Sequence, residues 1–247
     1  MIIPLLLSGL AVFCTHAVAA VTGFGSAALA LPFIISLLGM RRGIVVITIL
    51  AWIIAVYYAV IKRREINFRQ AGIIIGFMLP GMPLGMLLFR SFDTLILKKI
   101  LAVFIIAISV WQLLQLLVLH HKNENPPGKI RALLYRLLLV TGGIVHGMFT
   151  AGGPLAVIYA AQSIHSKAQF RATLNFIWSV LNFIIIVTFI AEGSFNAEIA
   201  VNTAALIPFL AAGIIIGEII HGRMNERVFS ITVFSILLLT GCFMAFF

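Results

Sequence analysis

The first charged residue in this chain is Arg41. What precedes it is one apolar run, about twice the ~20 residues that a single membrane-crossing helix needs. Such a run has to turn, and Gly23 and Gly25 mark the place, in residues 22–33, TGFGSAALALPF. A second overlong run, 132–163, carries the same device in residues 148–159, MFTAGGPLAVIY. Gly152 and Gly153 break the helix there, and Pro154 starts the next one, because proline's missing N–H is not needed in a first turn. The backbone N–H groups that open a helix point along its axis and carry partial positive charge. At membrane depth that geometry suits an anion, and broken helices serve this purpose in transporters.

Composition sets the class. The chain is 62% hydrophobic and 10% charged, with a mean hydropathy of +1.18. A soluble domain of 247 residues has nowhere to bury so much apolar surface. The runs do not alternate, so a β-barrel is excluded. The expected fold is an all-α polytopic membrane protein with no room for a separate ATPase domain. The net charge of +10 reads as basic loops against anionic head groups, not as nucleic-acid binding. Cys14 and Cys242 lie inside apolar runs and read as small packing residues. Ala17-Val18-Ala19 resembles a cleavage site, but no basic residue precedes it, so cleavage is not expected.

Eight apolar runs follow one another, and the two halves of the chain align. Gly25 matches Gly152, Phe68 matches Phe195, Gly81 and Gly85 match Gly213 and Gly217, and Phe92 matches Met224. The expected organisation is a membrane repeat over 1–119, a cytoplasmic linker over 120–131 (HHKNENPPGKIR) and a second membrane repeat over 132–247. If each overlong run folds as a hairpin, each half has five elements. Twelve basic residues then share one side: Lys62, Arg63, Arg64 and Arg69; Lys122, Lys129, Arg131 and Arg136; Lys167 and Arg171; Arg223 and Arg227. The other side keeps five, Arg41, Arg42, Arg90, Lys98 and Lys99, together with Glu192 and Glu198. This is a positive-inside pattern, and an odd number of elements inverts the second copy. Two inverted repeats of five elements, with both termini outside, are expected. The hairpin pieces either span fully or are re-entrant; the parity is the same.

The two breaks give the candidate binding residues: Thr22, Gly23, Gly25 and Ser26 in the first, and Thr150, Gly152, Gly153 and Pro154 in the second. The competing reading is close helix packing, since glycines mediate helix contacts in lipid. Arg171 is the leading cation. It starts a helix on which Asn175, Ser179 and Asn182 form one polar stripe. His16 and His146 precede their breaks by about two turns and are the proton-coupling candidates. Glu218, one turn before His221, reads as part of an interfacial pair. No nucleophile–base pair, metal-ligand cluster or nucleotide loop is present in the sequence, so no catalytic residue, metal or cofactor is expected.

The duplicated breaks TGFGSAALALPF and TAGGPLAVIY, the paired glycines and the basic loops resemble the TauE/SafE family over essentially the whole chain. That family comprises small permeases linked to sulfite and organosulfonate export. The resemblance implies anion transport without ATP, driven by the proton gradient. Typical members carry more glycine at the first break, where this chain has Ser26 and Ala27, and this moves weight to the second copy. The expectation is a multi-pass secondary transporter of a small anion, sulfite or an organosulfonate, in a bacterial cytoplasmic membrane. Its partners would be the anion, protons, membrane lipids and, in an oligomer, further copies of the chain. The alternatives are a passive anion channel, or a membrane assembly or enzymatic protein outside transport.

Overall fold

The computed structural model describes residues 2–22, 26–117, 129–164, 166–221 and 226–246. The linker 120–131 lies almost wholly outside the described residues, as do Gly23 and Gly25. Among the described residues there are eleven α-helices and no strand. The first half holds α1 (Ile2–Thr22), α2 (Ser26–Leu38), α3 (Met40–Ile61), α4 (Phe68–Met78), α5 (Gly81–Ser91) and α6 (Thr94–Leu117). The second holds α7 (Lys129–Phe149), α8 (Gly153–Ser163), α9 (Lys167–Ala191), α10 (Ala197–His221) and α11 (Glu226–Phe246).

Five of these, α1, α3, α6, α9 and α10, contain stretches long and apolar enough to cross a membrane. Their outward faces carry exposed Leu, Ile, Val and Phe, including Leu10, Val103, Phe183 and Ile219. Lipid tolerates such a surface, provided that backbone groups are satisfied within each helix. The overlong runs each become a long helix followed by a short one. α2 has 13 residues and α8 has 11. At ~1.5 Å per residue, each reaches only part of the way across a ~30 Å hydrocarbon core.

The structure divides the apolar run 70–89 between two helices. α4 and α5 meet at a 41° bend, where Pro80 removes a backbone donor and its ring crowds the preceding turn. The corresponding α10 keeps Pro208 inside a continuous helix.

Packing follows the glycines. α5 crosses α7 with Gly81 and Gly85 facing Gly143 and Gly147. A methyl group on Gly85 would run into the Ile144 carbonyl, and one on Gly143 or Gly147 into the carbonyls of Met78 or Met82. α10 crosses α1 in the same manner. A Cβ on Gly213 or Gly217 would sit 2.5 Å from the carbonyl oxygen of Phe13 or Ala17. Small residues at four-residue spacing let two helix backbones touch, which is how helices associate where no hydrophobic drive exists between them. The glycine pairs matched between the halves thus do the same work in both.

α3 also packs along α9, and α6 along α11. The indole N–H of Trp52 donates to the Ser179 carbonyl at 3.1 Å, and the backbone N–H of Asn67, just past α3, donates to Thr173 Oγ1 at 2.9 Å. The end of α3 therefore lies beside the start of α9, and the two run in opposite directions. Arg42 pairs with Glu198 at 2.7 Å, and Arg90 pairs with Glu192. Of the basic residues that the sequence assigns to that side, Arg42 and Arg90 thus meet the 192–198 turn, at the end of α3 away from Lys62 and Glu65.

Candidate functional site

The second break is built by an unexpected residue. Thr150 has φ 54° and is the non-glycine residue in the left-handed region among those described. Such a conformation is a genuine outlier for a β-branched side chain. It costs on the order of 1–3 kcal/mol and persists only where the surroundings enforce it. Here the Thr150 N–H closes α7 on the His146 carbonyl at 2.7 Å, and its hydroxyl donates to the Phe149 carbonyl at 2.7 Å. Gly152 itself has a helical φ of −68°. Its role is closeness: a Cβ there would strike the Gly142 carbonyl and lie 2.8 Å from the Cβ of His146. Gly153 differs. A Cβ on it meets open space, its nearest neighbour being Trp178 Cζ2 at 3.8 Å. Pro154 is buried in the first turn of α8 and takes no part in the wall of the cavity described next.

Gly153 opens onto a cavity of about 50 Å³ between the halves. One water needs ~10–15 Å³ on this measure, so the space suits an ion of roughly three to five heavy atoms. The first half contributes Ser26, Ala27 and Ala28 from the start of α2, and Ala51, Ile54, Ala55 and Tyr58 from α3. The second contributes His146, Thr150, Ala151 and Gly153 from the break, and Arg171, Asn175, Trp178 and Asn182 from α9. The first turns of both short helices thus border one cavity.

Arg171 is half-buried. It donates to the Ala20 carbonyl, near the end of α1, at 3.0 Å, and its guanidinium lies 5.7 Å from the centre of the Tyr58 ring. A guanidinium has five N–H donors, so donors remain for an anion. The Asn175 amide donates back to the Arg171 carbonyl at 2.8 Å. His146 is 1% exposed. Neither of its ring nitrogens, nor Oδ1 of the buried Asn182 beside it, meets a partner in full hydrogen-bond geometry among the described residues. Its ring packs 5.4 Å from that of Trp178. An unmet buried polar group costs ~1–3 kcal/mol, and at a cavity wall it is open to a group from outside the chain.

Of the sequence candidates, Ser26, Thr150, Gly153, Arg171, Asn175 and His146 come together here. Gly152 belongs to the α7–α8 packing. Thr22 ends α1, but its side chain lies outside the described residues, as do Gly23 and Gly25. His16 is buried on α1, where a ring nitrogen meets the Val12 carbonyl at 2.8 Å; it is not part of the cavity. The polar stripe of α9 is shifted: its wall is Arg171, Asn175, Trp178 and Asn182, while the Ser179 hydroxyl turns back to the Phe176 carbonyl at 2.7 Å. Sequence reasoning missed Trp178 and the Ala51–Ala55–Tyr58 face of α3. The helical spacing of 51, 54, 55 and 58 was the available signal.

The family model for the sulfite exporter TauE/SafE matches residues 8–244. The chain belongs to the TauE/SafE family. It is therefore a multi-pass membrane protein of a transporter family, not an enzyme. No curated protein and no solved structure matches it. In this TauE/SafE protein the family match spans both breaks, both glycine crossings and every residue that lines the cavity.

Proposed function

We propose that the cavity is the anion site of a proton-coupled secondary transporter, and that its substrate is sulfite or a small sulfonate. One observation carries this reading. Two helix starts, the Arg171 guanidinium and the buried His146 border one space sized for a small oxyanion. A helix start alone supplies ~0.3–1 kcal/mol when exposed and up to ~2 when partly buried. A charge-assisted bond from arginine adds ~1.5–3. Together they reach useful affinity only when they act on one ion, as this geometry allows. Sulfite, with four heavy atoms, fits the cavity as it stands; a longer organosulfonate needs it to open.

The inverted arrangement belongs to the same reading. α3 and α9 each hold third place in their half, and their opposite directions support two inverted repeats, 1–119 and 132–247. The grouping of Arg42 and Arg90 with Glu192 and Glu198 supports the sidedness, with 62–69 and 120–131 cytoplasmic and both termini outside. In inverted-repeat transporters a central site is exposed to each side in turn as the halves rock.

The test has two parts. Purified protein is titrated with sulfite, sulfate, methanesulfonate, taurine and acetate by calorimetry. Flux of the tightest binder into proteoliposomes is then measured with and without a pH gradient. Saturable binding of a sulfur oxyanion, with flux that follows the gradient, is expected. Absence of binding by every anion ends the site reading, and gradient-independent flux makes the protein a passive anion pathway.

A further inference from the structure

A second, larger cavity of about 350 Å³ adjoins the first. Lys62, Glu65 and Glu218 line it, and Tyr58, Arg171 and Asn175 belong to the walls of both. These three side chains are therefore the partition between the small cavity and a vestibule at the Lys62 end of α3. The partition is held from both sides. The Tyr58 hydroxyl donates to Glu218 Oε1 at 2.7 Å, across from α3 to α10. The face of the same ring carries the Arg171 guanidinium, whose Nη2 is tied to the Ala20 carbonyl. Glu218 thus has Tyr58 as a partner, while the side chain of His221, paired with it in the sequence reading, lies outside the described residues.

The charges around the vestibule can be accounted for. Lys62 and Glu65 lie 3.6 Å apart and offset each other. α1, which also packs on α10, presents the Ala20 carbonyl here, and its His16 is buried against Val12. Among the described residues that line it, what is left is one carboxylate, Glu218, and one guanidinium, Arg171, on opposite sides of one tyrosine. An ionised carboxylate is an acceptor only and holds a phenol strongly. A protonated one is neutral, brings a donor of its own, and no longer balances the arginine.

Resting on the anion-site reading above, we propose that Glu218 is the proton-binding group of the cycle, and that its carboxylate and the transported anion compete, through Tyr58, for Arg171. With Glu218 ionised, the Glu218–Tyr58–Arg171 stack is neutral and closed. A proton arriving from bulk water through the vestibule binds a Glu218 oxygen, weakens the hold on Tyr58 and leaves Arg171 with unbalanced charge. A monovalent anion then replaces the lost negative charge. Anion and proton bind together, and each raises the affinity for the other by the same factor. The partition opens when both are present, which is the requirement for coupled movement.

The experiment uses the full chain in detergent and methanesulfonate, an anion that does not titrate between pH 5 and 8. Proton uptake is read with a pH indicator in weak buffer during the binding titration. Wild-type protein is expected to take up close to one proton per bound anion over part of that range, with Kd rising up to tenfold per pH unit where uptake is seen. E218Q, an uncharged mimic of the protonated acid, is expected to bind with a Kd independent of pH and without proton uptake. H146Q is expected to bind more weakly while keeping the uptake per bound anion. Methanesulfonate binding by the wild type without proton uptake overturns the proposal, as does E218Q with undiminished uptake. Should E218Q not yield monodisperse protein, H146Q decides: uptake lost there moves the proton to His146 and overturns the assignment to Glu218. No methanesulfonate binding by the wild type at any pH removes the anion site itself, and is read separately from these outcomes.

Discussion

Gly152 and Gly153 are neighbours in sequence with opposite surroundings, and this gives the sharpest test of the site. A Cβ on Gly153, which lines the cavity, has Trp178 Cζ2 at 3.8 Å as its nearest neighbour. Gly153→Val adds three carbon atoms to a space of about 50 Å³, which then has no room for sulfite. The ion loses the Arg171 contact, ~1.5–3 kcal/mol, and the start of α8, ~0.3–2 kcal/mol. The sum is about 2–5 kcal/mol, or roughly 30-fold to a few thousandfold in Kd. The fold should be retained, because the new Cβ clashes with nothing and the branch beyond it is expected to point into the cavity. Gly152→Ala is the control with the reverse outcome. Its methyl collides with the Gly142 carbonyl, so thermal stability in detergent should fall while any folded fraction keeps the cavity. The assay is calorimetric binding of sulfite on each variant, with size-exclusion profiles and melting curves alongside. Wild-type affinity in a well-folded Gly153→Val protein would falsify the reasoning, since the ion would then have to sit elsewhere.

Arg171→Gln should weaken sulfite binding by ~1.5–3 kcal/mol, and Arg171→Lys by less, with the isotherm as readout; unchanged affinity in both returns Arg171 to an interfacial role. Gly147→Leu should push α5 away from α7 and lower stability by at least the ~1–3 kcal/mol typical of overpacking. Gly76→Ala, where nothing lies within 4 Å of the new methyl, should be neutral or gain ~0.5–1 kcal/mol in a helix; equal melting temperatures for the two variants would refute the crossing geometry. Single cysteines at Glu65 and Asn123, in a background free of Cys14 and Cys242, should label from the cytoplasm, and one at Gly193 from outside. Labelling of all three from one side would refute the inverted arrangement.

Hydropathy alone determined the class, because an apolar run of this length has no stable place except in lipid. It also placed both breaks, since glycine and proline act on the backbone locally. The matched pairs Gly81–Gly85 and Gly213–Gly217 were legible because four-residue spacing puts both members on one helix face. For the same reason Arg171, Asn175 and Asn182 could be seen as one wall. Which face meets which neighbour is a long-range matter, and only the tertiary structure decided it. Gly152 and Gly153 look alike until α7 folds back over one of them. Thr150 takes the left-handed turn because the closure of α7 against His146 imposes it; threonine would not adopt that turn by itself. Tyr58, Trp178 and Glu218 read as ordinary apolar-face or interfacial residues along their own helices. Their chemistry exists only where α3, α9 and α10 bring a phenol, a guanidinium and a carboxylate from distant parts of the chain to one partition, with the indole in the cavity behind it.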